Sequence, residues 1–121
     1  MKILIVDDSS TMRRIVKNCL SELNYENVLE AGDGVEAKIV LEHNKDITVA
    51  LIDWKMPNMS GYELLQYIKS NDELKDIRVI MVTTKKDKMN VLMAIKAGAA
   101  SYVIKPFTSN TIRERISAAL V

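Results

Sequence analysis

Six polar side chains, spread over four stretches of this sequence, each close an apolar run. Asp7-Asp8 follows Ile3-Leu4-Ile5-Val6, Asp53 follows Thr48-Val49-Ala50-Leu51-Ile52, Thr83-Thr84 follows Val79-Ile80-Met81-Val82, and Lys105 follows Ser101-Tyr102-Val103-Ile104. A carboxylate ending a buried strand is costly unless something pairs with it. Should the four runs lie parallel in one sheet, they would carry three acids, a lysine and a threonine to a single edge, the edge at which open α/β sheets bind ligands. Three carboxylates in hydrogen-bonding range either take up protons or bind a cation. A hard divalent ion with few protein ligands suits Mg2+. Its charge and that of Lys105 would then offset the three acids. Such an edge could accept a phosphoryl group, with the metal and Lys105 shielding it, Thr83 donating a hydrogen bond, and a carboxylate acting as nucleophile. Taken singly, each residue has a plainer reading: Asp7-Asp8 as a solvated turn, Lys105-Pro106 as a strand terminator. The joint placement at four strand ends is what points to a site.

The elements that would position these groups are legible along the chain. Residues 2–7 form an apolar, partly β-branched run that fits a strand buried on both faces. Ser9, Ser10 and Thr11 are possible N-caps. Met12, Ile15, Val16, Cys19, Leu20 and Leu23 then recur at spacings of three and four, an amphipathic helix closed by Asn24, with Arg13, Arg14 and Lys17 off its apolar stripe. Val28–Ala31 reads as a short strand, and Gly32-Asp33-Gly34 opens a second helix ending near Asn44. A third strand ends at Asp53, and Lys55–Gly61 has the Pro and Gly of a shaped loop. A third helix runs from about Tyr62 to Ser70, and the strand Val79–Val82 precedes a fourth helix at about Lys88–Ala97. That helix has candidate apolar positions Met89, Leu92, Met93 and Ile95, and Gly98 is its stop. The strand at Ser101–Ile104 and a last helix from Ser109 complete the pattern. Strands alternating with helices specify a parallel sheet between helical layers with right-handed connections.

With 121 residues, 48 % apolar and 27 % charged, the chain has the composition of one soluble globular domain. A net charge of +1 suggests neither nucleic acid nor a membrane surface. The single cysteine, Cys19, and a start without a signal-peptide pattern lead us to expect a cytoplasmic protein. The lone His43 stands among polar residues with no second His or Cys as a co-ligand.

Four segments carry a resemblance to a known family: Val6-Asp7-Asp8-Ser9-Ser10-Thr11-Met12-Arg13-Arg14, Ile52 through Gly61, Met81-Val82-Thr83, and Tyr102-Val103-Ile104-Lys105-Pro106-Phe107. Together they resemble the receiver domains of two-component response regulators, nearest to the chemotaxis type. The resemblance implies a flavodoxin-like (βα)5 fold, a doubly wound parallel five-stranded sheet of order 2-1-3-4-5, with residues 1–121 as a single receiver domain. It implies Asp53 as phosphoacceptor, Asp8 and Asp53 as direct Mg2+ ligands, Asp7 acting through water, and the Lys55 backbone carbonyl completing the set. Lys105 would contact the phosphoryl oxygens, Thr83 would move to hydrogen-bond them, Tyr102 would rotate inward, and the Lys105-Pro106 bond would be cis.

A face made by the fourth helix, fifth strand and fifth helix would report the change, with Lys86, Lys88, Tyr102, Thr108 and Arg115 facing partners. The implied partners are a histidine kinase as phosphodonor and the flagellar motor switch. The protein would be a monomer and no enzyme beyond its own phosphorylation and dephosphorylation. Lys55 departs from the chemotaxis type, which has a neutral amide there, as do Thr84 and Lys85-Lys86. Two alternatives stay open: a receiver within a longer transcriptional regulator, and a metal-dependent phosphohydrolase on the same fold. Against the phosphohydrolase stands Lys55, where a second acid would be usual. A flavin protein is disfavoured because Asp7-Asp8 would repel a bare phosphate.

Overall fold

The computed structural model of the chain describes residues 1–84 and 88–121. Strands β1 (Ile3–Val6), β2 (Val28–Ala31), β3 (Val49–Asp53), β4 (Arg78–Thr84) and β5 (Ser101–Lys105) alternate with helices α1 (Ser10–Glu22), α2 (Gly34–His43), α3 (Gly61–Lys69), α4 (Lys88–Lys96) and α5 (Ser109–Ala119). All pairings are parallel, in the order β2-β1-β3-β4-β5. The fold is the flavodoxin-like one expected.

Strand alternation divides the core in two. Leu4, Val6, Ala50, Ile52, Val79 and Met81 face one side and pack with residues of α2, α3 and α4, including Leu41, Leu64, Leu65, Ile68 and Ala94. Ile3, Ile5, Val49, Leu51, Ile80 and Val82 face the other and meet Val16 and Leu20 of α1 and Ile112 and Ile116 of α5. Every residue of β1 and β3 is buried, which is why those runs show no polar alternation. Each large apolar side chain so buried contributes about 1.5–3 kcal/mol, so the central strands are the anchored part of the sheet. Their last residues inherit that rigidity.

Side chains cap four helices: Ser9 accepts from Met12 N, Asp33 from Glu36 N, Ser60 from Glu63 N and Thr108 from Thr111 N. At α3 the cap is reciprocal, since Glu63 accepts from Ser60 N at 3.2 Å. Ser60→Ala is therefore expected to lower stability by about 1 kcal/mol, read as a shift in urea midpoint at unchanged slope. Asn24 and Gly98 end α1 and α4 at φ 67° and 104°. Beside them Tyr25 N donates to Leu20 O at 2.8 Å and Ala99 N to Ala94 O at 2.9 Å, the bonds that close a helix through a left-handed residue.

Thr83 and Thr84, expected just after the apolar run Val79–Val82, are the last two residues of β4. One sequence expectation needs correction. On α4, Met89, Leu92, Met93 and Ile95 are 41–68 % exposed, while Ala94 is fully buried with Val91 and Ala97 partly covered. The small residues at spacing three let this helix lie close against the sheet, and the bulkier ones turn outward. Among the described residues no helix is long and apolar enough to cross a membrane.

Candidate functional site

The carboxyl ends of β1, β3, β4 and β5 bring the predicted groups to one edge. Asp53 is the last residue of β3 and is 7 % exposed; Asp7, just past β1, is 5 % exposed, and Asp8 beside it is open to solvent. One carboxylate oxygen from each lies within 4.8 Å of the others. Lys105 ends β5 and donates from Nζ to Asp53 Oδ1 at 2.9 Å, with Asp7 Oδ2 at 3.6 Å. The Lys105-Pro106 peptide is cis, as the resemblance implied.

The acids are held from behind. Asp7 Oδ1 accepts from Ser9 N at 2.9 Å. Trp54 N donates to Val82 O at 3.0 Å and Gly61 N to Trp54 O at 2.8 Å, so the loop after β3 folds back against its own strand end. Trp54 stacks on Tyr62 with ring centroids 5.2 Å apart. A cavity of about 110 Å³ opens above Asp53, lined by Trp54, Lys55, Thr83, Thr84 and Lys105. Thr83 Oγ1 is buried there with no hydrogen-bond partner among the described residues. An orphaned buried hydroxyl costs about 1–3 kcal/mol, so a polar group entering this cavity would gain by bonding it.

Electrostatics follow the geometry. Burial raises the pKa of Asp53 above the ordinary carboxylate value, and the charges of Asp7 and Asp8 push the same way, against the hydrogen bond from Lys105. Burial alone would lower the Lys105 ammonium, but the hydrogen bond and charge of Asp53, with Asp7, outweigh it and raise its pKa. One lysine does not neutralise three acids. The oxygen donor set and the surplus negative charge fit a hard divalent cation.

A family model for the response regulator receiver domain matches residues 3–117. The chain belongs to the response regulator receiver domain family. Among its relatives, this receiver domain is 49 % identical to chemotaxis protein CheY1 of Helicobacter pylori over 99 % of the chain and 97 % of that protein. It is 47 % identical to the CheY homolog of Campylobacter jejuni over 96 % and 89 %. Among solved structures, the CheX-CheY-BeF3-Mg2+ complex from Borrelia burgdorferi contains a chain that superposes with a TM-score of 0.92 at 27 % identity, covering all of this chain and 90 % of that one. Vibrio cholerae CheY4 does so at 0.88 and 29 % identity, covering 98 % and 97 %. The receiver domain is thus that of a CheY-like response regulator, consistent with two-component signalling in chemotaxis.

Of the residues expected to face partners, Tyr102 and Arg115 come together, with the guanidinium carbon 4.6 Å from the ring centroid. Thr108 is the N-cap of α5. Lys86 lies outside the described residues, as does the side chain of Lys88. Two contributors escaped sequence reasoning. Gly61 permits the close return of the loop onto Asp53, and Arg13, read as lying off the stripe of α1, reaches the backbone of Asp7 at 2.6 Å. Periodicity gave no sign of either, because neither contact is made within its own helix.

Proposed function

We propose that residues 1–121 act as a single phosphorylation-activated receiver that takes a phosphoryl group on Asp53 from a histidine kinase. The observation that carries this is the buried Thr83 hydroxyl, without a hydrogen-bond partner among the described residues, in the same small cavity as Asp53 and Lys105. Asp8 and Asp53 would hold Mg2+ directly, Asp7 through water, and the Lys55 carbonyl would complete the protein ligands; the bound metal supplies shielding of phosphoryl charge. The Mg2+ named with the Borrelia burgdorferi CheY supports that assignment. An oxygen of Asp53 attacks phosphorus, and the bond from phosphorus to the donor breaks with its electron pair leaving on the donor. Lys105 pairs with one phosphoryl oxygen and the Thr83 hydroxyl donates to another.

A phosphoryl group of about −1.5 to −2 at neutral pH takes the place of the single negative charge of the Asp53 carboxylate, a net gain of about half to one negative charge at this edge. Contacts made only in one conformation bias a two-state equilibrium, and about 5.5 kcal/mol of preference moves it from 1:99 to 99:1. Thr83 drawn toward the phosphoryl group frees space into which Tyr102 turns, altering the face of α4, β5 and α5 that a partner reads. Identity with chemotaxis relatives supports the flagellar motor switch as that partner and the cytoplasm as its place of action.

Incubation with a small phosphodonor, with and without Mg2+, tests the reading by intact mass. A gain of one phosphoryl group only with metal is expected, and no gain in either condition refutes it. Lys55 lines the same cavity and is itself exposed. Its ammonium near the phosphoryl group is expected to alter the lifetime of the phosphorylated form, so Lys55→Asn should dephosphorylate at a different rate. Equal half-lives would remove Lys55 from the decay step.

A further inference from the structure

We propose that Arg13 is a positioning residue for the divalent-cation site, a role that rests on the Mg2+ reading above. β1 ends at Val6, so Asp7 has left the sheet ladder while carrying one of the three clustered carboxylates. Besides the ion pair of its carboxylate with Lys105 Nζ at 3.6 Å, three hydrogen bonds hold it there. Its N–H donates to Ala31 O at 3.1 Å. Its carboxylate accepts from Ser9 N at 2.9 Å. Its carbonyl accepts from Arg13 Nη1 at 2.6 Å. The guanidinium contact is the only one of these three made by a side chain of another residue.

The guanidinium is itself oriented. Arg13 Nε lies 3.2 Å from Glu30 Oε1 on β2, and Glu30 Oε2 is 3.6 Å from Lys17 Nζ, one helical turn further along α1. The Arg13 side chain is only 20 % exposed, and a planar, always-charged fork held at one nitrogen delivers the others in fixed directions. Arg13 therefore ties the start of α1 to both β2 and the backbone of the acidic loop. Its guanidinium addresses the carbonyl of Asp7 and not the carboxylate, whose oxygens stand toward Ser9 N and Lys105.

Positioning and simple electrostatics predict opposite signs. Removing a positive charge near a cation site should by charge alone tighten the metal. Loss of a group that orients the ligand-bearing backbone should weaken it, and outer partners of metal ligands typically contribute about 10- to 100-fold in affinity.

The test is Mg2+ binding to the unphosphorylated full chain by calorimetry. Arg13→Met should bind at least about 10-fold more weakly, and Arg13→Lys, which restores a donor without the fork, should recover part of the loss. Arg14→Met, the same charge change at an exposed neighbour, should not weaken binding. Arg13→Lys also serves if Arg13→Met fails to fold: it keeps the charge and removes only the fork, so weaker binding than the parent cannot come from charge. A lower melting temperature with Mg2+ affinity unchanged or tighter in both Arg13→Met and Arg13→Lys makes the contact merely structural and overturns the proposal. A parent chain that binds no Mg2+ overturns the metal reading, and this role with it.

Discussion

Gly61→Ala is expected to cost about 3 kcal/mol, the upper end of what overpacking a tight contact does, and to slow phosphoryl transfer as well. A Cβ at this position would stand 2.2 Å from the backbone oxygen of Asp53 and 2.9 Å from its carbonyl carbon. The Met81 methyl, at 3.0 Å, can swing away, but the two nearer atoms are backbone of β3 and cannot. The loop cannot retreat cheaply either, since Gly61 N donates to Trp54 O at 2.8 Å and Ser60 caps the helix that starts there. Accommodation must displace the strand end that bears the central carboxylate. Gly34→Ala is the contrasting case: its Cβ would meet Met59 Cγ and Sδ at 2.7 Å and Cβ at 2.8 Å, a crowding that falls on a side chain away from Asp53 and should lower stability without slowing phosphoryl transfer as much. Urea unfolding reads both, and an unchanged midpoint for Gly61→Ala would show that the loop does not press on Asp53 as described.

Asp8→Ala is expected to act with opposite sign in two conditions. Without metal, Asp8 is one of the two charges that oppose ionisation of Asp53. Its removal should therefore stabilise the metal-free protein and bring the Asp53 pKa back toward its ordinary value. The pH dependence follows from the direction of that shift. An acid whose folded pKa is raised destabilises the fold once ionised; the cost is full above the raised value and fades as pH falls through it to the unfolded value. The metal-free parent should accordingly gain stability from Asp53 on mild acidification, and Asp8→Ala should gain less. Lys105 runs the other way at the alkaline end. Its raised pKa gives stability that is present below the ordinary lysine value and is lost as pH rises through the folded one. With Mg2+ at about 100 times its dissociation constant, the parent should be stabilised by about 2.7 kcal/mol, and Asp8→Ala should show almost none of that gain. Melting curves with and without Mg2+ read both arms. A variant stabilised by Mg2+ as much as the parent would take Asp8 out of the ligand set.

Much of the site was readable because burial and charge conflict at its members. An aspartate closing Val49–Ile52 and a lysine closing Ser101–Ile104 each contradict their apolar surroundings, and parallel topology then dictates that such strand ends meet. The helices were readable from their stripes where those stripes were bulky, as in α1 with Val16 and Leu20. The rule misled at α4, where the buried line is Ala94 with Val91 and Ala97; alanine gives little hydrophobic signal, yet only small side chains allow that close approach. Contacts that depend on backbone proximity, such as Gly61 against Asp53 or Arg13 against the Asp7 carbonyl, have no sequence signature, because the partner offers only main-chain atoms. Thr83 was placed at the site, but that its hydroxyl stands buried without a partner among the described residues is a fact of packing alone.

Locating the transferred group is the decisive measurement. The parent and Asp53→Asn, each incubated with the same small phosphodonor and Mg2+, are to be compared by intact mass and by peptide mapping of the product. One added phosphoryl group on the peptide containing Asp53 in the parent, and none in the variant, is the predicted result. Equal incorporation in Asp53→Asn, or a phosphoryl group mapped elsewhere in the parent, would contradict the assignment of Asp53 as the residue on which this edge of the sheet acts.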